Sequence, residues 1–414
     1  MKWNSQIRDF VAEHLNDDTA KLLFASHRYP EIDMPFAVEQ IEARKRLKNK
    51  LPEWFALPDL IMGGRIPAEQ CSSEQTARFK RTIMGDDCHS LCDMTGGMGV
   101  DFWYMSRGLD RAIYTERQEA LCVAARHNFD VLQKAEALQN PGDVAICPAI
   151  EIREGLSTEM PVPDVDVIYL DPARRSTDGS RIYEIEDCEP NIVEWQDELL
   201  SHCHQLIVKV SPMADIKRTI ARMHNVTDIY VVAVRNECKE LLIVQKSAVS
   251  ESLQEPIKMH CVDFFPKKMV SYEFSQTENE KLLLADVCKL SDMAMAQYFY
   301  EPDVSVMKAQ AFYSLMSRYH VAMIGKDSHY FTSKNLEEEF PGRLFAIDEV
   351  LVFSSGLLKQ LKKKLQQANV ATRNFPLSAE ELRKRAGIRD GGDVYLFGTT
   401  HDVNGPLLII CHKL

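Results

Sequence analysis

The chain has 414 residues, 45% of them hydrophobic and 27% charged, with a formal net charge of −12 at pH 7. This is the composition of an ordinary globular protein of about two to four domains, and it excludes a uniformly cationic, nucleic-acid-wrapping coat, though not a local basic face. No apolar run approaches the roughly 18 residues of a membrane span, and Met1-Lys2-Trp3-Asn4-Ser5 lacks signal-peptide anatomy, so a cytoplasmic protein with no membrane partner is expected.

Residues 1–86 read as an N-terminal helical domain. Ile7, Phe10, Val11 and Leu15 share one helical face, as do Ile41 and Leu47, and Pro52, Pro58, Gly63-Gly64 and Pro67 break the region into short pieces. Glu69-Gln70-Cys71-Ser72-Ser73-Glu74 ends it, with Ser72 or Ser73 placed to cap the next helix and the segment placed to fold over whatever follows.

Residues 87–250 alternate strand and helix, the signature of a parallel α/β sheet. Leu91-Cys92-Asp93-Met94-Thr95-Gly96-Gly97-Met98-Gly99-Val100-Asp101 is an apolar run, an acid and a glycine-rich turn, and Ala112-Ile113-Tyr114-Thr115 then ends at Glu116. Strand, turn, helix and a second strand closed by a carboxylate is how such a sheet holds a nucleoside cofactor, with Glu116 facing two ribose hydroxyls. A dinucleotide and a cationic cofactor both fit that outline. Asp93 would repel a pyrophosphate but suits an ammonium, and glycines at 97 and 99 leave space that a Cβ would fill. The pattern resembles the first motif of class I S-adenosylmethionine-dependent methyltransferases, which implies S-adenosyl-L-methionine as cofactor and Asp93, Thr95, Gly96, Gly97, Gly99 and Glu116 as its binding residues.

Further strands are expected at Val144–Cys147, Val165–Leu170, Leu206–Val210, Ile229–Val234 and Leu241–Val244. The last two are joined too closely for a parallel crossover and must form a hairpin. A parallel sheet with a terminal antiparallel hairpin resembles the Rossmann-like class I methyltransferase sheet.

Tyr169-Leu170-Asp171-Pro172-Ala173-Arg174-Arg175 follows an expected strand, and in open α/β sheets chemistry lies outside the strands' carboxyl ends. It resembles the Asp-Pro-Pro-Tyr and Asp-Pro-Pro-Arg motifs of enzymes that methylate nucleic-acid bases. That resemblance implies that Asp171 orients the acceptor, Pro172 holds the bend, and Arg174 and Arg175 meet a base or phosphate. Ala173 replaces the second proline and Arg174 the stacking aromatic, so the analogy with amino-group methylation is loose. Lys209-Val210-Ser211-Pro212-Met213 supplies no cysteine where uracil-C5 enzymes carry one, which favours direct transfer to a nitrogen or oxygen.

Residues 251–335 and 336–414 read as two small α+β domains. Met259–Phe264, Met269–Phe274, Leu344–Ile347, Val394–Phe397 and Leu407–Cys411 look like strands, and Ala309–Arg318 like part of a helix. Tyr300-Glu301-Pro302-Asp303, Val306-Met307-Lys308-Ala309, Thr372-Arg373-Asn374-Phe375-Pro376-Leu377 and Glu381-Leu382-Arg383-Lys384-Arg385 resemble bacterial methyltransferases with a small ferredoxin-like domain and a C-terminal THUMP-like domain. THUMP domains proper bind RNA, so the resemblance implies an RNA partner, tRNA or rRNA, met by Lys362, Lys363, Lys364, Arg383, Lys384 and Arg385. A third basic cluster, Arg44-Lys45-Arg46 with Lys48 and Lys50, lies outside this region.

The eleven cysteines include no Cys-x-x-Cys pair, which fits reduced thiols. Cys88 with Cys92, and His202-Cys203-His204, hold donor atoms, but Cys92 lies in an apolar strand and alternate strand residues face opposite sides, so no metal is expected. Three readings stand: an RNA base-nitrogen methyltransferase, a methyltransferase of a small molecule or protein, and a non-catalytic RNA-binding protein on the same fold.

Overall fold

A computed structural model describes residues 3–139, 148–174, 185–247, 255–284 and 293–414. The chain divides into two compact units, Met1–Thr227 with Leu242–Gln254, and Asp228–Leu241 with Glu255–Leu414.

The first unit opens with the expected helices: α1 (Ser5–Glu13), α2 (Thr19–Phe24), α3 (Met34–Leu47), α4 (Pro52–Ala56), α5 (Arg65–Gln70) and α6 (Glu74–Ile83). Asn4, Asp18 and Asp33 cap α1, α2 and α3 by accepting backbone N–H groups, and Ile7, Phe10, Val11, Leu22, Met34, Ala37, Val38 and Ile41 form their shared core. Leu15 falls beyond the end of α1 and is only partly buried. Between α4 and α5 the backbone is clamped by side-chain amides: Gln40 exchanges two hydrogen bonds with Met62, and Asn128 two with Ile61. The broken stretch that Pro58 and Gly63-Gly64 announce is thus an ordered wall.

Then come β1 (Ser90–Asp93), α7 (Val100–Met105), β2 (Arg111–Glu116), α8 (Glu119–Gln139), β3 (Ala149–Glu154), β4 (Val165–Leu170), the two-residue strands β5 (Ala173–Arg174) and β6 (Cys188–Glu189), α9 (Ile192–Ser201), β7 (Cys203–Val210) and α10 (Ile216–Ile220). Parallel pairs β7-β4-β1-β2-β3 build the sheet. The chain crosses from β1 to β2 on one side and reaches β4 on the other, so the carboxyl end of β1 is the topological switch point where a ligand crevice opens. The expected strand Val144–Cys147 lies outside the described residues. The strand that flanks β2 is β3, whose half-exposed alternation of apolar and charged residues carries no continuous apolar run.

β8 (Val226–Val234) and β9 (Cys238–Lys246) form the expected hairpin. Its turn is tighter than the sequence suggests: Val234 and Glu237 exchange backbone hydrogen bonds, and Arg235 and Asn236 both have positive φ, +53° and +60°. In the second unit β10 (Lys258–Phe265) runs parallel to β8, from Lys258↔Asp228 to Phe264↔Val234, and pairs antiparallel with β11 (Lys268–Ser275). Both were expected inside a small domain starting at 251. Their apolar runs announce strands, but a partner is a long-range choice that no run encodes.

The remainder comprises α11 (Gln276–Leu284), β12 (Tyr298–Pro302), α12 (Val304–Ala309), α13 (Phe312–Tyr319), β13 (Ala322–Met323), β14 (Phe331–Ser333), β15 (Gly342–Val352), α14 (Leu357–Lys364), β16 (Gln367–Thr372), α15 (Ala379–Ala386), β17 (Arg389–His401) and β18 (Gly405–Lys413). The helix expected over Ala309–Arg318 is broken at Gln310, with φ +55°. Seven strands in the order β13-β14-β12-β15-β18-β17-β16 make one sheet. The boundary expected at 335 therefore crosses a continuous sheet, because β12 pairs directly with β15. Phe299, Tyr330, Phe345 and Phe397 pack together at its centre.

The two C-terminal signature motifs meet there. Arg373 lies over the Tyr330 ring, 4.2 Å from its centroid, and donates to the His329 carbonyl (3.0 Å) and Glu301 Oε1 (3.3 Å), while Arg343 holds the other oxygen of Glu301. Glu301-Pro302-Asp303 and Arg373-Asn374 thus form a structural latch between the segments on either side of residue 342.

Candidate active site

The site is built at the carboxyl ends of β1, β2, β4 and β7. Leaving β1, the chain turns through residues 94–99, and Met94 N–H donates to the Tyr169 carbonyl of β4 and Gly96 N–H to the Thr115 carbonyl of β2. The three glycines are required for different reasons. A Cβ on Gly96 would fall 2.2 Å from Tyr114 Cε2, and one on Gly99 2.8 Å from Phe129 Cζ, so protein packing excludes both. Gly99 also has φ +81°, and Gly97 has φ +57° with nothing nearer its Cβ position than 3.7 Å. Of the two positions expected to leave room for a ligand, only Gly97 faces open space, and Gly99 yields to the Phe129 ring.

Glu116 ends β2 and closes the turn from the other side. Gly97 N–H donates to its Oε2 and Gln118 N–H to its Oε1, both at 2.8 Å. Each carboxylate oxygen retains a second acceptor position, so two ligand hydroxyls could still be bound. Tyr114 OH donates to the Gly97 carbonyl at 2.5 Å, fixing the next peptide of the turn.

Asp93 is almost fully buried, and Thr95 N–H donates to its Oδ1 at 2.9 Å. Burial pushes its carboxyl well above the usual range, against the Thr95 hydrogen bond and with the help of Asp101, Asp171 and Glu116 nearby. Asp93 therefore lies beneath the turn, where its carboxyl holds Thr95. Thr95 in turn joins two parts of the site, since Asp171 N–H donates to its hydroxyl oxygen at 2.6 Å.

The structure also brings in residues to which no role was assigned from sequence. Lys209, near the end of β7, sits 2.6 Å from Asp171 Oδ2, 3.8 Å from Asp101 Oδ2 and 3.4 Å from the Ser72 hydroxyl. Lys80 of α6 is fully buried and lies 3.1 Å from Asp101 Oδ1 and 3.1 Å from Ser72 Oγ. Ser72 and Tyr169 hydroxyls donate to Asp101 Oδ2 at 2.8 and 2.9 Å. Burial works to raise the Asp101 carboxyl, but Lys80, Lys209 and the two hydroxyls overcome it and bring it down to about 2. Ser73, not Ser72, caps α6, by accepting Thr76 N–H. Ser72 is thereby released to face Asp101, so the Glu-Gln-Cys-Ser-Ser-Glu segment does reach the site. Lysine inside the apolar run 206–210 was the one visible signal; nothing in the α6 sequence marks Lys80 as buried.

Pro172 is buried behind Asp171, and Arg174 lies in the short strand β5 paired with β6; Arg175 lies outside the described residues. Three carboxylates, Asp101, Asp171 and Glu116, thus surround the turn above the buried Asp93 carboxyl, and the lysines that face them, Lys80 and Lys209, pair with Asp101 and Asp171. A crevice with excess negative charge attracts a cation and repels a pyrophosphate.

The basic clusters divide. Arg44 is buried, donates to the Pro58 and Leu60 carbonyls at 2.7 and 2.6 Å, and is lowered to about 10 by burial; Lys45 donates to the Asp17 carbonyl and Arg46 pairs with Glu69. That cluster ties the helical region together. On the second unit, α14 and α15 share a core of Leu358, Leu361, Leu382 and Ala386 and carry Lys362, Lys363, Lys364, Arg383, Lys384 and Arg385. Lys364 pairs with Glu349, Arg383 with Asp390 and Lys384 with Glu380, and Lys362 packs its stem against Gly387. Cys88, Cys92 and Cys203 are buried thiols, and among the described residues no three His, Cys, Asp or Glu side chains converge as a metal site.

Residues 342–413 match the THUMP domain-like family and residues 298–341 a ferredoxin-like domain family. The crystal structure of a "putative methyltransferase" from Porphyromonas gingivalis W83 is similar over 100% of both chains, with 31% identity and a TM-score of 0.86. A methyltransferase from Pyrococcus furiosus has 12% identity and a TM-score of 0.35 over 50% of this chain and 99% of its own. An O-methyltransferase from Bacillus cereus solved with SAH has 12% identity and a TM-score of 0.30 over 48% and 99%. No curated protein matches the chain.

Proposed function

Because the chain belongs to the methyltransferase family represented by that Porphyromonas gingivalis protein, with a ferredoxin-like and a THUMP-like domain toward its C-terminus, we propose that it is an S-adenosyl-L-methionine-dependent enzyme that methylates a base nitrogen of RNA. The observation that carries this reading is the crevice at the ends of β1, β2 and β4, where a glycine turn closed by Glu116 lies one hydrogen bond, through Thr95, from Asp171.

The residues present fit the cofactor. Glu116 has acceptor capacity for two hydroxyls, Gly97 leaves space beside the turn, and the surplus carboxylates suit a ligand carrying a sulfonium and an ammonium. The cofactor would supply an electrophilic methyl group with a good leaving group. The protein's task is then alignment: Asp171 accepts a hydrogen bond from the acceptor N–H and orients the nitrogen lone pair, and Pro172 fixes the bend from which it projects. A cationic side chain would find Asp171 already paired with Lys209, whereas a neutral ring or exocyclic N–H needs only an acceptor, which favours a base over a lysine. Exposed Lys363 and Arg385 with their neighbours on α14 and α15 would meet phosphates, making RNA binding steeply dependent on salt. The four-part division at 86, 250 and 335 is kept as a proposal, the two family matches meeting at 341/342, with β10 and β11 grouping with the hairpin β8–β9 and the β12–β18 sheet acting as one functional body.

Titration calorimetry with S-adenosyl-L-methionine tests the reading. Wild type is expected to bind, and Glu116→Ala to bind about 10- to 100-fold more weakly, the loss of hydrogen bonds to a charged acceptor; no binding by wild type, or unchanged binding by the variant, overturns it. Nucleoside mass spectrometry of RNA from cells with and without the gene would then identify the base.

The affinity is also expected to depend on pH. With Asp93 raised by burial, the ionised form is the disfavoured one in the free protein, so its contribution to stability is greatest at low pH and is lost as pH rises through the raised value. A cationic ligand favours that ionised form, so affinity should rise as pH rises toward the raised Asp93 value, with release of up to one proton. Calorimetry in two buffers of different ionisation enthalpy reads that proton; zero release with flat affinity would show that Asp93 does not sense the ligand.

A further inference from the structure

We propose that Lys209 is a positioning residue of the methyl-acceptor site, acting through Asp171; this rests on the methyltransferase reading above. The topology supplies the pair. β4 and β7 run parallel with Leu170 opposite Val208, so one step onward Asp171 and Lys209 stand side by side where both strands end. The lysine ammonium reaches Asp171 Oδ2 at 2.6 Å, and only 12% of its side chain is exposed, against 39% for Asp171. The aspartate therefore faces the crevice while its partner is sunk beside it.

Lys209 is itself held. Its ammonium lies 3.8 Å from Asp101 Oδ2 and 3.4 Å from Ser72 Oγ, and Asp101 is fixed independently by Lys80 and Tyr169. Asp171 is consequently anchored at two points, its backbone N–H on Thr95 and one carboxylate oxygen on Lys209. An exposed aspartate with only the backbone anchor would sample several rotamers, and each wrong rotamer misplaces the acceptor atom relative to the methyl donor. Lys209 removes that freedom. Because the ion pair is only partly exposed and the ammonium has a second carboxylate nearby, it is not the weakly held pair of an open surface. The same arrangement explains why Ser72, from the helical region, reaches under the catalytic loop.

The test is a mutant cycle in methyl transfer from tritiated S-adenosyl-L-methionine to the RNA, protein and small molecules of an extract from cells lacking the gene. Lys209→Met is expected to lower kcat about 10²-fold, the cost of a misaligned acceptor, with the KM for RNA and the calorimetric Kd for the cofactor within about threefold. Lys209→Arg, which keeps the charge, should recover about tenfold of that loss. In the Asp171→Ala background Lys209→Met should have no further effect, since the group it positions is gone. Equal proportional losses in the two backgrounds, or a loss in KM alone, would overturn the positioning role. A loss of fold would show as a lowered Tm in Lys209→Met without rescue by arginine, and would also overturn it. RNA, protein and small-molecule fractions are counted separately: label in another fraction refutes the RNA reading while leaving the cycle readable, and label in none refutes both.

Discussion

Asp171→Ala is expected to abolish nearly all methyl transfer while leaving the protein folded and able to bind its cofactor. Asp171 is the one carboxylate of the cluster whose side chain is substantially exposed, and it sits at the switch point, one hydrogen bond from the cofactor turn. Removing it deletes the group that orients the acceptor nitrogen, an effect of about 10²- to 10⁴-fold in kcat for a lost polar catalytic partner. Asp171→Asn retains an acceptor oxygen and its size, so its loss should be closer to tenfold. The backbone bond to Thr95 survives in both variants, and cofactor Kd by calorimetry should stay within about threefold. Unchanged transfer by Asp171→Ala would move the acceptor site elsewhere. Lost cofactor binding would make Asp171 part of the turn.

Lys80→Met should produce the largest loss of stability. Its ammonium is fully buried and faces Asp101, which is itself buried and carries two hydroxyl hydrogen bonds. Methionine fills much the same volume but removes the nearer ammonium, leaving Asp101 its two hydroxyls and Lys209 at 3.8 Å. Removing one member of a buried ion pair costs about 3–5 kcal/mol, because the remaining charge stays desolvated, and in a unit of this size that lowers Tm by about 6–20 °C. Differential scanning fluorimetry reads it directly. Adding Asp101→Asn should restore part of the loss by removing the stranded charge; a Lys80→Met protein that melts with wild type would mean that water reaches Asp101.

The candidate cofactor turn was legible because its parts are close in sequence. Asp93, the glycines and Glu116 span 24 residues that fold through local strand, turn and helix preferences, and the structure brings them together around one turn. Even there, the reason for each glycine was not. Gly96 and Gly99 are demanded by Tyr114 and Phe129, rings whose positions depend on how β2 and α8 pack. Asp171 was visible through its Asp-Pro context at a strand end. The place of Arg44 was not legible: in sequence it is one of a row of cations, and only the path of residues 57–60 shows its guanidinium consumed by carbonyls.

By itself, then, the sequence determined the alternation of strands and helices, the glycine turn with its acids, the presence of a hairpin and the C-terminal basic clusters, because periodicity, turn chemistry and charge are properties of neighbouring residues. Only the tertiary structure decided which strands adjoin and which charges cancel. β10 sits beside β8, β12 beside β15, and Lys209 beside Asp171, and each of these pairings joins residues about 30 or more positions apart. The physical reason is that a strand's hydrogen-bonding edge is the same for every partner. The choice among partners is made by burial and charge compensation over the whole unit, and at the site that choice joined Ser72, Lys80, Asp101 and Lys209 beneath Asp171.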